Sequence, residues 1–196
     1  MINGERTRLS GWIEANETPI GGSAKDKTAR GVVGDKHTIL VAGAVEVLTY
    51  KDDDGRPRER AGRIRLQVIQ DAGEENIGTF IRRHIEPGSR IRTDGWRGYS
   101  NTALAGYKHS VRIVGVPERA HQRAPHIHRV FSNLKTRLLG THHGVKPKYQ
   151  QSDWDEYVFR FNRRRIPMAA VQTLLGISSR KPPLTLHALA SPESKA

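Results

Sequence analysis

Three runs with β-strand character follow one another before the first helical run, and that order restricts the fold more than any other feature of the chain. Trp12 to Thr18 (Trp-Ile-Glu-Ala-Asn-Glu-Thr) reads as a short strand. Thr38 to Leu48 reads as a buried strand, with Gly43 inside it where a neighbour can pack closely. In Arg63 to Ile69, Ile64, Leu66 and Val68 alternate onto one face, which is the period of a half-buried strand. Gly21-Gly22-Ser23 and the charged stretch to Lys36 read as a loop or flap, and Lys51 to Glu59 as a polar turn. These strands are expected to form an antiparallel meander.

The period then changes. Ile77, Phe80, Ile81 and Ile85 recur at helical spacing, so a helix is predicted over Glu74 to Ile85, stopped by Pro87-Gly88. Arg90 to Thr93 is a fourth strand, Tyr99 to Leu104 a short helix, and His109 to Val114 a last strand. Ile127, Val130, Phe131, Leu134 and Leu138 make one helical stripe. Trp154, Tyr157, Val158 and Phe161 make a second, ended by Asn162-Arg163-Arg164-Arg165. From Ser178, with Pro182-Pro183, little hydrophobic order remains and disorder is expected. The result is an α/β chain: a mixed five-stranded sheet with helices packed on its faces.

Composition narrows the function. The chain has 196 residues, enough for one domain with a core, and 33 Lys plus Arg against 20 Asp plus Glu give a net charge of +13. A surface this basic attracts polyanions, nucleic acid first among them. There is no cysteine, hence no disulfide and no Cys-based zinc site. No apolar run approaches the length of a membrane span and Met1 to Gly11 is polar, so a cytoplasmic protein without a membrane partner is expected.

Asp94 ends the fourth strand and precedes Gly95. A carboxylate there faces the crevice at a sheet edge where catalytic acids of α/β enzymes often lie. The plainer reading is a turn residue, since Asp-Gly is a strong turn signal.

Three blocks resemble the ISXO-like DDE transposases of bacterial insertion sequences. Ile13-Glu14-Ala15-Asn16-Glu17-Thr18-Pro19-Ile20-Gly21-Gly22 is similar to that group's Val-Glu-x-Asp-Glu-Thr-Tyr-Ile-Gly-Gly opening. Thr93-Asp94-Gly95-Trp96-Arg97-Gly98-Tyr99 is the second block. The third runs from His126-Ile127-His128-Arg129-Val130-Phe131-Ser132-Asn133-Leu134-Lys135 through Gly140-Thr141-His142-His143-Gly144-Val145 to Asp155-Glu156-Tyr157-Val158-Phe159-Arg160-Phe161-Asn162-Arg163-Arg164.

The resemblance implies an RNase H-like fold, DNA cleavage and strand transfer in transposition, and Mg²⁺ or Mn²⁺ as cofactor if the chain is active. It maps the catalytic positions onto Asn16, Asp94, His128 and Lys135, with Asp94 and His128 as metal ligands. Two metal ions can serve the attacking and leaving oxygens of a phosphodiester at once, and hard carboxylate oxygens suit them. His128 and Lys135, seven residues apart, share a helix face. Arg97, Arg129, Arg137, Arg163, Arg164 and Arg165 are the candidate DNA contacts. For Arg163 to Arg165, a helix end complementing its dipole is an equal reading. The expected partners are the element's ends and its target DNA, with a homo-oligomer to join two ends.

The chain departs from the pattern at two places near its first strand. Asn16 stands where the family has Asp, and Pro19 where it has Tyr. With His128 at the third position, Asp94 is the one carboxylate of the trio. Glu14 shares Asn16's strand face and Glu17 takes the opposite one. The expected organisation is a leader over 1–11, an RNase H-like domain over 12–165 and a partly disordered extension over 166–196, without the N-terminal zinc ribbon or helix-turn-helix common in the family. These departures raise a second reading, a truncated or inactive copy, or a non-catalytic basic DNA-binding protein that keeps the fold. A third is an RNase H-like nuclease or resolvase. His126-x-His128 with His142-His143 offers zinc ligands, but without a zinc-motif spacing.

Overall fold

A computed structural model describes residues 7–21, 39–111, 124–141 and 150–180. The elements in chain order are β1 (Trp12–Ile20), β2 (Ile39–Lys51), β3 (Pro57–Ile69), α1 (Glu74–His84), β4 (Arg90–Thr93), β5 (Lys108–Val111), α2 (Pro125–Thr141), α3 (Gln150–Asn162) and α4 (Pro167–Arg180). They build one five-stranded sheet in the order β3-β2-β1-β4-β5. β1, β2 and β3 form the expected antiparallel meander, whereas β4 joins β1 in parallel and β5 joins β4 in parallel. This is the mixed α/β sheet of an RNase H-like fold.

Alternation along the central strands divides the core in two. Ile13, Ala15, Leu40, Ala42, Ala44 and Ile91 meet Ile77, Phe80 and Ile81 of α1 on one face. Val41, Val45, Ile64 and Leu66 meet Ile127, Val130, Phe131 and Leu134 of α2, and Trp154, Tyr157 and Val158 of α3, on the other. Each of these large side chains contributes about 1.5–3 kcal/mol by leaving water, so the central strands are held from both sides.

Gly43 sets the closeness of α2. A Cβ there would lie 2.8 Å from the Phe131 ring and 3.0 Å from the Ile127 side chain. Since Gly43 pairs with Asn16 across the β1–β2 ladder, the missing side chain lets the helix approach the sheet beside Asn16.

Several boundaries differ from the sequence reading. β1 runs on to Ile20, and β3 begins at Pro57 rather than Arg63. Residues 57 to 60 of the β2–β3 hairpin are exposed and show no hydrophobic alternation. Its tip is closed by Asp52, whose Oδ1 accepts the Arg56 N–H at 2.8 Å, with Gly55 at φ +76°. The short helix expected over Tyr99 to Leu104 is instead a chain of turns: Leu104 N–H bonds Ser100 O, and Tyr107 N–H bonds Leu104 O. Gly98 and Gly106 flank that stretch and favour turns over helix.

A further helix, α4, follows α3 after a short break. Pro167 suits a first helical position. Met168, Val171 and Leu175 lie exposed along it, so no buried stripe marked it in the sequence. The proposed flap from Gly22 to Lys36, His142-His143, the last part of the strand predicted to Val114, and the tail from Lys181 lie outside the described residues.

Candidate active site

Alternate residues of β1 face α2, and three of them touch it. The Glu14 carboxylate accepts the backbone N–H groups of His126 at 2.8 Å and Ile127 at 3.0 Å. Asn16 Nδ2 lies 3.4 Å from His128 Nε2. Lys135 Nζ donates to Thr18 Oγ1 at 2.7 Å. A carboxylate on the first N–H groups of a helix matches the positive end of its dipole. Glu14 thereby fixes where α2 begins, and with it the placement of His128 and Lys135.

Asp94 directly follows β4, the strand that pairs with β1. The ladder pairs Glu14 with Arg92; the same offset, 92 − 14 = 94 − 16 = 78, sets Asp94 level with Asn16 just beyond the last paired residues. Asp94 is buried, and its Oδ1 accepts the Trp96 N–H at 3.0 Å above Gly95 at φ +83°. The turn that the Asp-Gly pair signals is present, and it stops the strand at this point.

Asn16 is engaged at both its oxygen and its nitrogen. Its Oδ1 accepts the Glu17 N–H at 2.9 Å, so its NH₂ is the group turned toward His128. An amide nitrogen carries only donors, so the facing Nε2 acts as acceptor and the ring proton sits on Nδ1, an assignment that follows from the bonding pattern. On the opposite strand face, Glu17 accepts the Tyr99 hydroxyl at 3.0 Å.

A second polar group lies one step back along the same face. Glu14, Glu59 and His126 bring ligand-type atoms within 4.8 Å of one another. Arg92 bridges them, with Nη1 3.3 Å from Glu14 and Nη2 3.4 Å from Glu59. Burial pushes the Glu14 carboxyl above the usual range, against the pull of the Ile127 and His126 N–H groups and Arg92. Burial also lowers the His126 imidazole, and Glu59 only partly offsets it. Arg92 and Glu59 were not singled out in the sequence; the one available signal was that Arg92 shares a strand face with Asp94.

The candidate DNA-contact arginines divide by environment. Arg97 and Arg129 are exposed, with Arg97 5.4 Å above the Trp96 ring. Arg165 is exposed on the turn after α3. Arg137 is tied to Glu156 at 3.2 Å. Arg163 stacks 4.1 Å over Phe159. Arg164 stacks 3.9 Å over Phe161 and donates to the carbonyls of Ala61 and Gly62, which pins the end of α3 to β3.

A profile of the ISXO2-like transposase domain matches residues 8–162. The chain belongs to the ISXO2-like transposase domain family. No curated protein and no solved structure matches it.

Transposase function, DNA as partner and a divalent metal ion are the properties this family brings. The donor set here does not fit a pair of such ions. Mg²⁺ takes hard oxygen ligands, and the trio supplies one carboxylate, an amide whose oxygen already holds the Glu17 N–H, and an imidazole against that amide. The Glu14–Glu59–His126 group fits no better, because helix N–H groups and Arg92 already engage the Glu14 oxygens. Among the described residues, no helix is long and apolar enough to cross a membrane.

Proposed function

We propose that this chain is a DDE-type insertion-sequence transposase domain that engages mobile-element DNA in the cytoplasm while performing DNA cleavage and strand transfer weakly or not at all. Asn16, Asp94, His128 and Lys135 are its catalytic-site positions, and Asp94 and His128 the remaining metal-ligand types. The observation that carries the reading is Asn16: its oxygen is bound by Glu17 and its nitrogen faces His128, where a two-metal site needs a bridging anion. A homo-oligomer would be needed to bring two element ends together.

The same observation supports the second reading, a non-catalytic basic DNA-binding protein on this fold. A net charge of +13 supplies the attraction to DNA without any metal.

The test is a cleavage and strand-transfer assay on DNA carrying the element's terminal repeats, with Mg²⁺ or Mn²⁺. Binding without turnover is expected from the native chain. Robust turnover would sink the claim of inactivity, and cleavage of branched or hybrid substrates regardless of terminal repeats would point to a nuclease instead.

A further inference from the structure

The face of the sheet that α2 and α3 cover over β1 to β3 continues onto β4 and β5, and there its character changes. No residue of β4 or β5 belongs to the core beneath α2 and α3. Alternation turns Arg90 and Arg92 of β4, and Lys108 and Ser110 of β5, onto that face. The parallel register pairs Arg90 with Lys108 directly. Both are exposed, and neither has a carboxylate in ion-pair range among the described residues. Like charges set opposite one another across a ladder are destabilising, so an unneutralised pair of this kind is a natural seat for an anion.

Two further observations give the pair a shape. Trp12, the next residue across the sheet from Arg90, holds Arg90 5.1 Å and Arg92 5.4 Å from its ring centroid. The indole thus orients the Arg90 guanidinium. Beside them lies an open cleft of about 400 Å³ lined by Ser10, Trp12, Glu86, Ser89, Arg90 and Lys108, among others. Glu86 is the one acid on its rim, and it would repel an anion placed at that end. Arg92, by contrast, is committed to Glu14 and Glu59.

The position relates this site to Asp94. Arg90 and Arg92 alternate onto one side of β4, Asp94 follows its end, and four residues at about 3.3 Å each put Arg90 roughly 13 Å from Asp94. A DNA strand advances about 3.4 Å per nucleotide along the helix axis, so it covers that distance in about four nucleotides.

We propose that Arg90 and Lys108, with Trp12 as a positioning residue, form a backbone-phosphate site for DNA that runs from the Asp94 crevice along the open face of β4 and β5. The site rests on the DNA-engaging function proposed above and names where that DNA continues. Its chemistry is a phosphodiester oxygen held by one guanidinium and one ammonium, with no bond made or broken.

The experiment is fluorescence anisotropy of a labelled duplex with the full chain, across a range of salt concentrations. Each phosphate contact contributes about 0.9 to the slope of log affinity against log salt. Arg90→Gln with Lys108→Gln removes the one phosphate contact and is expected to lower the slope by about 0.9 and to leave the thermal unfolding midpoint nearly unchanged. Arg83→Gln with Lys51→Gln removes the same charge from other exposed positions and is expected to leave the slope near that of the native chain. Trp12→Leu is expected to weaken DNA affinity while the slope falls by less than the double substitution's. An unchanged slope for Arg90→Gln with Lys108→Gln in a protein that binds DNA overturns this site alone. An equal fall for the control pair also overturns it. Full displacement of the DNA by inorganic phosphate at matched ionic strength would make it a small-anion site and overturn it as well. Failure of the native chain to bind DNA removes the functional reading and the site together.

Discussion

Asn16 and His128 satisfy one another: the amide nitrogen stands 3.4 Å from Nε2, while the Asn16 oxygen accepts the Glu17 N–H at 2.9 Å. The strand position proposed as the first catalytic one is occupied by a neutral group whose oxygen and nitrogen both have partners. Asn16→Asp restores the charge without changing the shape. Mn²⁺ affinity is expected to rise at least about tenfold, equivalent to about 1.4 kcal/mol, followed by electron paramagnetic resonance of the free ion. Measurable cleavage of terminal-repeat DNA should accompany it. Identical Mn²⁺ titrations for the two proteins would mean that Asn16 and Asp94 do not share a metal.

Glu14 is predicted to matter for stability. Its carboxylate holds two N–H groups of α2 and faces Arg92. Glu14→Ala leaves those donors and the guanidinium short of a buried partner, and a loss of about 2–4 kcal/mol is expected. Glu14→Gln keeps an acceptor oxygen and removes a costly buried charge, so about 1 kcal/mol is expected. Urea unfolding of the two variants checks the order; a Gln variant as damaged as the Ala one would contradict it.

Gly43 lies directly against Phe131 and Ile127 of α2. Gly43→Ala places a methyl group 2.8 Å from the Phe131 ring, and the helix must shift or Phe131 must turn. Overpacking of this kind costs about 1–3 kcal/mol. The companion Gly43→Ala with Phe131→Leu should recover part of that loss, and a double variant no more stable than Gly43→Ala would place the strain elsewhere.

The sequence showed more of the frame than of the site, for reasons visible in particular residues. Ile64, Leu66 and Val68, and the α2 stripe from Ile127 to Leu138, face apolar neighbours, so periodicity announced them. Gly43 was legible as a close approach because a strand interior rarely has another use for glycine. Glu14, Asn16 and Thr18 are polar residues facing a helix more than a hundred positions away. The family resemblance located Asn16, but nothing in the local pattern indicated that Glu14 caps α2. The Arg92–Glu59 bridge likewise joins two strands through spatial proximity alone. α4 escaped because Met168, Val171 and Leu175 lie exposed along it.

Glu46 and Glu14 should pull the acid limb of stability in opposite directions. Burial raises the Glu46 carboxyl, but Arg63, 2.6 Å away, and the Ser10 N–H outweigh it and hold the group below the usual range. A depressed folded value gives stability that is complete above the unfolded value and is lost as pH falls through the folded one. Glu14 lies above the usual range, so its ionised form opposes folding and protonation recovers stability as pH drops. Glu46→Gln is therefore expected to flatten the loss of stability below about pH 5, near the carboxylate values. Glu14→Gln should steepen it. Thermal melts across the acid range read both slopes, and parallel changes in the two variants would refute the assignment.

Arg164 and Arg165 are adjacent in sequence and differ in what they do. Both are exposed, but Arg164 stacks on Phe161 and bonds the Ala61 and Gly62 carbonyls. Arg164→Ala removes packing and hydrogen bonds together, and a loss of about 1–2 kcal/mol in urea unfolding is expected. The slope of log DNA affinity against log salt should hardly change, because its guanidinium is tied to the Phe161 ring and the Ala61 and Gly62 carbonyls. Arg165→Ala is expected to do the reverse, sparing stability and lowering the slope by about 0.9 if it meets a phosphate. A slope that falls with Arg164→Ala and not with Arg165→Ala would reverse these roles.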